Sequence, residues 1–167
     1  MTELKAGDKF PDNVAFSYIP VTPEATDFKT CGIPQKLDAS KEFKTKKVLL
    51  VSVPGAFTPT CSASHLPSIL ENKDKLREKG VDQVIIIAYN DPYVMSGWAK
   101  ANGVTDDFLI FASDTDAQFS KKIGWTMGER TARYAILVNK GDVVYAGIDS
   151  DAGSTTKSDA QAILAQL

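Results

Sequence analysis

The sequence has 167 residues, of which 43% are hydrophobic and 24% are charged, and its net charge at pH 7 is −2. This length suits a single domain, residues 1–167, with a sizeable core, and the charge does not favour nucleic acid or an anionic membrane as a partner. No apolar stretch is long enough to cross a bilayer, and the first residues lack the layout of a signal peptide, so a cytoplasmic protein is expected.

The pattern of apolar residues, glycines and prolines predicts alternating strands and helices. In chain order it predicts a short edge strand or hairpin arm at 14–18, a long loop at 19–35, a polar or helical turn at 40–47, a buried strand at 48–53, a helix at 62–79 kinked at Pro67, a strand at 84–89, a helix at 92–101, a strand at 108–112, a short helix at 113–121, a hairpin of strands 134–138 and 143–148, and a helix at 158–165. This order indicates an α/β fold, with parallel crossovers and one antiparallel hairpin.

A buried strand followed by a reactive-looking cysteine is the strongest functional signal. The apolar run at 48–53 ends at the breaker pair Pro54-Gly55, and Cys61 follows near the start of a helix. The candidate N-caps of that helix are Thr58 and Thr60. Because a helix start offers unpaired N–H groups and a positive dipole end, it favours the thiolate, which is the nucleophilic form. Cys61 is therefore predicted to be a nucleophile rather than a structural cysteine.

The residues around Cys61 also resemble a known family. The pattern Pro54-x-x-x-Thr58-x-x-Cys61 is similar to the active-site motif of the peroxiredoxins. The longer segment, continued by His65-Leu66-Pro67, looks like the atypical type II subgroup and its fungal members, some of them described as peroxisomal proteins and allergens. The resemblance covers essentially the whole chain. It implies a thioredoxin fold and a thiol-dependent peroxidase that reduces hydrogen peroxide and alkyl hydroperoxides through a sulfenic acid on Cys61.

A peroxidase site must stabilise a thiolate and then the departing oxygen of the peroxide. Thr58 can donate its hydroxyl hydrogen to the sulfur or to the peroxide, and Pro54 can shield the sulfur from water. The peroxiredoxin pattern places an arginine at the start of a later strand near the sulfur, and Arg133 matches that position, with Arg130 as the neighbouring alternative. The supporting or substrate-binding residues of the motif are Gly55, Phe57 and His65. One histidine and two distant cysteines cannot form a metal site of usual spacing, and no cofactor is expected.

His65 lies four residues after Cys61, on the same helix face. It could act as a general base or thiolate partner, as in Cys–His pairs. The other interpretation is a packing or hydrogen-bonding histidine. The second is favoured, because a helix dipole and an arginine can activate the sulfur without a base.

Cys31 is the only other cysteine, and its position in the loop 19–35 suits a resolving thiol, although it could also be an incidental loop residue. Several members of the subgroup carry their resolving cysteine late in the chain, and here none follows Cys61. The fungal relatives with an early cysteine imply a homodimer with a disulfide between Cys31 of one subunit and Cys61 of the other. Thioredoxin, or else a glutaredoxin–glutathione system, would reopen it.

Two further functions remain open from the sequence. A thiol–disulfide oxidoreductase would normally need Cys-x-x-Cys, and Ser64 occupies that position after Cys61. A non-catalytic redox sensor would use the disulfide as a switch. The ending Ala165-Gln166-Leu167 is similar to the peroxisomal signal Ser-Lys-Leu, with glutamine in place of the basic residue, so a peroxisomal location is an alternative to the cytoplasm.

Overall fold

The computed structural model of the protein describes residues 2–151 and 153–167 and is built around one mixed sheet. The strands are β1 (Ala15–Tyr18), β2 (Gln35–Asp38), β3 (Lys47–Ser52), β4 (Gln83–Ala88), β5 (Leu109–Ser113), β6 (Thr126–Met127), β7 (Arg130–Thr131), β8 (Tyr134–Asn139) and β9 (Asp142–Ile148). The α-helices are α1 (Ala39–Glu42), α2 (Leu66–Glu71), α3 (Lys73–Glu78), α4 (Pro92–Ala101), α5 (Gln118–Lys122) and α6 (Ala160–Leu164). Shorter 3-10 turns lie at Pro23–Thr26 and Thr115–Ala117, and a π-helical turn lies at Cys61–His65.

The seven strands of the sheet follow the order β2-β1-β5-β4-β3-β8-β9. β3, β4 and β5 are parallel, as strands joined by helical crossovers should be. β8 and β9 form an antiparallel hairpin beside β3, and its turn contains Lys140 and Gly141, both at positive φ, as a two-residue hairpin turn requires. The predicted α/β architecture is confirmed.

The central strand β3 is buried on both faces. Leu49 and Val51 pack into a cluster with side chains of α2, α3, α4 and α6. Val48 and Leu50 pack on the opposite face with side chains of α1 and α5. None of these four residues is more than 1% exposed, which explains why the strand is a continuous apolar run rather than an alternating one.

Two pairings were missing from the predicted element order. Strand β2 pairs antiparallel along the whole of β1, so of the two predicted alternatives β1 is a hairpin arm and not an edge strand. The sequence Gln35-Lys36-Leu37-Asp38 contains three polar residues and buries Leu37 as its one apolar side chain, so it carries no strand pattern of its own. The hairpin of β6 and β7 has two residues in each strand, too few for any periodicity to show.

The helix predicted at 62–79 is interrupted twice. The first irregularity is the π-helical turn, in which Leu66 N–H donates to the Cys61 carbonyl, directly before Pro67. Since proline has no N–H, the turn before it cannot continue a regular α-helical ladder. The second interruption, at Asn72 (φ −107°, ψ 10°), separates α2 from α3 and was not predicted.

Helix α4 follows the prediction closely. Its N-cap is Asp91, whose carboxylate accepts from Val94 N–H at 2.9 Å, and Pro92 occupies the first helical position. Gly103, at φ +68°, follows its end. No helix in the described ranges is long and apolar enough to cross a lipid bilayer.

The carboxyl ends of β3 and β4 meet the beginning of β8 at one edge of the sheet. Beyond the last backbone pair of β3 with β8, two hydroxyls continue the contact. Ser52 Oγ donates to the Ala132 carbonyl at 2.8 Å, and Thr131 Oγ1 donates to the Val53 carbonyl at 2.7 Å. These bonds hold the residues before β8 against the segment that leads to Cys61.

Candidate active site

The loop between β3 and Cys61 is held by polar contacts at its base. Ala56 N–H donates to the side-chain oxygen of Asn90, which follows β4, at 2.9 Å. Thr58 Oγ1 donates to the Gly55 carbonyl at 2.6 Å. Pro54 is buried, at the point where the backbone leaves the sheet. These hydrogen bonds hold the backbone of the loop in one conformation.

Gly55 and Phe57 have special positions in this loop. A Cβ on Gly55 would lie 3.0 Å from Thr58 Cγ2 and 3.4 Å from a guanidinium nitrogen of Arg130, so glycine lets these groups approach the backbone. Phe57 has φ +60°, a left-handed conformation that is uncommon for a bulky residue. The residue is 58% exposed, and the centroid of its ring lies 6.4 Å from that of Trp98.

Cys61 begins the π-helical turn and is only 1% exposed. Ser62 N–H donates to the Thr58 carbonyl at 2.9 Å, which marks the start of the helix. The predicted cap at Thr60 is wrong, because Thr60 is itself helical and makes no side-chain cap hydrogen bond. Thr58 lies just before the helix, at the N-cap position, and its hydroxyl donates its hydrogen to the Gly55 carbonyl.

The buried guanidinium of Arg133 contacts the sulfur. Its Nη2 donates to Cys61 Sγ at 3.2 Å, and its Nη1 lies 2.9 Å from His65 Nδ1. Arg133 is 3% exposed, so its positive charge acts on the sulfur with little screening by water. Arg130, the alternative, is exposed and lies over the ring of Tyr89, 5.4 Å from the ring centroid. The arrangement can stabilise negative charge on Cys61.

His65 is fully buried, and both of its ring nitrogens are engaged. Nε2 lies 2.8 Å from the Ser158 carbonyl, which can only accept, so Nε2 carries the hydrogen. Nδ1 is then the unprotonated acceptor for Arg133. Burial lowers the pKa of His65 from 6.5 to about 4, and the neighbouring charge of Arg133 acts in the same direction against the Ser158 hydrogen bond. This neutral, doubly engaged ring suits a supporting hydrogen-bonding role better than that of a base.

Cys31 lies in a different part of the molecule. It is exposed, and the segment before it is tied to α4, since Lys100 Nζ donates to the carbonyls of Asp27 and Thr30. Lys100 lies near the carboxyl end of α4, whereas α4 begins just after β4, at the sheet edge where Cys61 lies. The rise of the helix from Pro92 to Lys100 is about 12 Å. The structure thus does not bring Cys31 together with the other predicted site residues.

Comparison with known proteins shows to which family this chain belongs. The Redoxin family model matches residues 5–164. Peroxiredoxin Pen c 3 of Penicillium citrinum is 52% identical and covers 98% of this chain and 99% of its own. Peroxiredoxin AHP1 of Chaetomium thermophilum is 49% identical over 100% of this chain and 96% of its own.

The chain belongs to the peroxiredoxin family. It is a thiol-dependent peroxidase, which reduces a hydroperoxide and is returned to its thiol form by a reductant. Reduced Prx3 from Vibrio vulnificus, solved in complex with hydrogen peroxide, is 33% identical, with a TM-score of 0.82 and coverage of 97% of this chain and 98% of that chain. The thioredoxin fold that the motif implied is therefore confirmed, as is the assignment to an enzyme.

Three features of this peroxiredoxin's site were not predicted from the sequence. They are the Asn90 anchor of the loop, the Ser158 carbonyl on His65, and the carboxylate of Asp149, which accepts from Ser158 Oγ at 2.5 Å. Asn90 had a usable signal, because a polar residue just after β4 must lie at the same edge as the end of β3. The Ser158 carbonyl had none, since a backbone carbonyl leaves no trace in a sequence, and Asp149 had none because it reaches His65 only through that residue. No group of three or more His, Cys, Asp and Glu residues within 2–151 and 153–167 is placed to hold a metal ion.

The lowered pKa of His65 gives this peroxiredoxin an acid-sensitive stability. The unfolded chain binds a proton on His65 below pH 6.5, and the folded chain only below about pH 4. The free energy of unfolding therefore decreases as the pH falls through that window. Between pH 7 and pH 4.5 we expect the free energy of unfolding to fall by about 2 kcal/mol more in the wild type than in His65→Gln. Urea unfolding at a series of pH values measures this difference. Because the chain has one histidine, its NMR titration is an independent check, and a midpoint near 6.5 in the folded protein would contradict the assignment.

Proposed function

We propose that Cys61 is the thiolate that attacks the hydroperoxide, and that Arg133 stabilises it. The observation that carries the proposal is the 3.2 Å contact of Arg133 Nη2 with Cys61 Sγ in an environment where both residues are nearly inaccessible to water. A hydrogen bond from a cation is strong in such surroundings. The charge is permanent, so it acts both on the thiolate and on the oxygen that later departs.

The reaction balances without a cofactor. The thiolate of Cys61 attacks the hydroperoxide oxygen that bears the hydrogen. A sulfur–oxygen bond forms, the oxygen–oxygen bond breaks, and its electron pair leaves with the other oxygen as hydroxide or alkoxide. That oxygen takes up a proton to give water or an alcohol. Cys61 is left as a sulfenic acid, oxidised by two electrons.

The remaining motif residues shape the space over the sulfur. Since the Thr58 hydroxyl gives its hydrogen to Gly55, its lone pairs are available to accept the O–H of the peroxide. This reverses the direction predicted from the sequence, in which Thr58 donates. Buried Pro54 keeps water from the thiolate, and exposed Phe57 provides an apolar surface for the organic part of an alkyl hydroperoxide.

Cys31 is proposed as the resolving cysteine, and its partner as Cys61 of a second subunit. Two properties support this pairing: Cys31 is exposed, and Lys100 holds its loop at the end of α4 that is farther from Cys61. The Cys31 thiol would condense with the sulfenic acid of the other subunit to give a disulfide and water. Thioredoxin would supply the dithiol that reopens the disulfide, with a glutaredoxin–glutathione system as the alternative reductant.

Peroxide is expected to convert the wild type into a covalent dimer. On a non-reducing gel, treated protein should run at twice the subunit mass, and neither Cys31→Ser nor Cys61→Ser should do so. A mixture of the two variants is the decisive experiment. It should again form the covalent dimer, because a subunit that keeps only Cys61 can still bond to one that keeps only Cys31. An oxidised wild type that has lost both thiols yet runs as a monomer would overturn the intersubunit pairing.

The compartment is proposed as cytoplasm, with peroxisomes as the alternative. A relative from Lipomyces kononenkoae, 48% identical over 96% of this chain and 99% of its own, is named as a peroxisomal peroxiredoxin. Ala165 and Gln166 of the signal-like tripeptide are exposed after the end of α6. Leu167 is half-buried and packs against the core, so the first two residues of the tripeptide are exposed and the third is only partly so.

A further inference from the structure

A series of buried hydrogen bonds leads away from the arginine at the active site. From Arg133 it passes to His65 Nδ1, and from His65 Nε2 to the Ser158 carbonyl. Ser158 Oγ then donates to Asp149 Oδ2 at 2.5 Å. Ser158 is fully buried and Asp149 is 7% exposed, so the whole series is shielded from solvent.

The Asp149 carboxylate organises the segment that carries the Ser158 carbonyl. Its Oδ1 accepts from Lys157 N–H at 3.0 Å and from the hydroxyls of Ser154 and Thr156 at 3.3 and 3.4 Å. Both carboxylate oxygens of Asp149 therefore accept hydrogen bonds from the segment between Ser154 and Ser158 and hold it close to Asp149. A carboxylate suits this task because it is purely an acceptor and can take several bonds at once.

Asp149 also contacts the backbone of Arg133. Asp149 N–H donates to the Arg133 carbonyl at 2.9 Å, just beyond the last pair of β8 with β9, Tyr134 with Ile148. One residue thus contacts the backbone of Arg133 directly and its guanidinium through two intermediates. The hydrogen bonds therefore link Asp149 to both the backbone and the side chain of Arg133.

We propose that Asp149 is a positioning residue that holds Arg133 on Cys61 by fixing the orientation and the tautomer of His65. With the Ser158 carbonyl in place, the hydrogen of the ring stays on Nε2, and Nδ1 stays free to accept from Arg133. If the carbonyl shifts, the hydrogen can move to Nδ1, where it points at a cation and pushes the guanidinium away from the sulfur. The inference rests on the proposed role of Arg133 in stabilising the thiolate.

Asp149→Asn and Ser158→Ala test this role, and Asp151→Asn is the matched control. Asp149→Asn keeps the shape of the side chain and removes its charge, while Ser158→Ala removes only the hydroxyl that links Asp149 to the carbonyl. Asp151 is an exposed acid of the same loop. All variants are made in Cys31→Ser, in which Cys61 is the only thiol.

Two readouts separate positioning from simple support of the loop. The first is the 15N NMR signal of the single histidine, which reports where the ring hydrogen resides. The second is the rate of Cys61 oxidation by one equivalent of hydrogen peroxide, together with its alkylation by iodoacetamide across pH. We expect a mixture of tautomers and rates lower by about threefold to thirtyfold in either test variant, with the control unchanged.

The proposal fails if folded Asp149→Asn or Ser158→Ala loses stability but keeps the Nε2–H tautomer and the wild-type rates. Should Asp149→Asn not fold, Ser158→Ala alone decides, because its cavity is small. Arg133→Met distinguishes this failure from failure of the proposed function. If Arg133→Met is slow while Asp149→Asn is normal, only the positioning role is lost; if Arg133→Met is itself normal, the role of Arg133 is wrong.

Discussion

Replacing Cys61 with serine is expected to abolish peroxide reduction. Serine fits the same buried space and can accept the same hydrogen bond from Arg133. Its hydroxyl does not ionise near neutral pH, however, so the site retains its shape but has no nucleophile. The rate should fall by at least about a thousandfold. Consumption of tert-butyl hydroperoxide, coupled through thioredoxin and its reductase to NADPH oxidation, measures it.

The matched control is the same substitution at the other cysteine. Cys31→Ser should reduce one equivalent of peroxide, because Cys61 is intact, and then stall when thioredoxin is the reductant. Far-UV circular dichroism and urea unfolding should be close to wild type in both variants. Multiple turnover by Cys61→Ser would show that the nucleophile lies elsewhere, and rapid multiple turnover by Cys31→Ser would show that Cys31 does not resolve the sulfenic acid.

The parts of the fold that local pattern predicts are those whose burial is unambiguous. β3 and β4 are continuous apolar runs that are buried on both faces of the sheet. Helix α4 has an N-cap, a proline in its first turn and a glycine after its end. β2 could not be found in this way, because it is a strand only through its pairing with β1. The break at Asn72 is similar, since nothing in a polar residue on a helix indicates that the chain turns there.

The residues of the candidate site that are close in sequence could likewise be predicted, whereas the contacts made by distant parts of the chain could not. Pro54, Thr58 and Cys61 are close in sequence, so the strand–turn–helix pattern alone brings them together. Arg133 comes from 72 residues away, and only the family pattern selected it over Arg130. The direction of the Thr58 hydrogen bond depends on a backbone carbonyl, and the tautomer of His65 depends on another, 93 residues along the chain. No pattern of side chains records where such carbonyls point.

Removing the charge of Arg133 is expected to have the second largest effect on the enzyme. Methionine replaces the length and much of the volume of arginine without a donor or a charge. The thiolate then loses its cationic hydrogen bond, and so does the oxygen that carries charge as the peroxide bond breaks. Loss of one such donor typically costs about a hundredfold to a thousandfold in rate. Stopped-flow measurement of the second-order rate of Cys61 oxidation tests this without involving the reductant.

Two comparison variants make the result specific. Arg133→Lys keeps the charge but not the planar fork that reaches both Cys61 Sγ and His65 Nδ1, so an intermediate rate is expected. Arg130→Met removes an exposed guanidinium that lies over Tyr89, and it should change the rate by less than about threefold, since exposed charges are screened. The opposite ranking, with Arg130→Met slow and Arg133→Met normal, would make Arg130 the activating cation. It would also mean that the 3.2 Å contact with the sulfur serves packing alone.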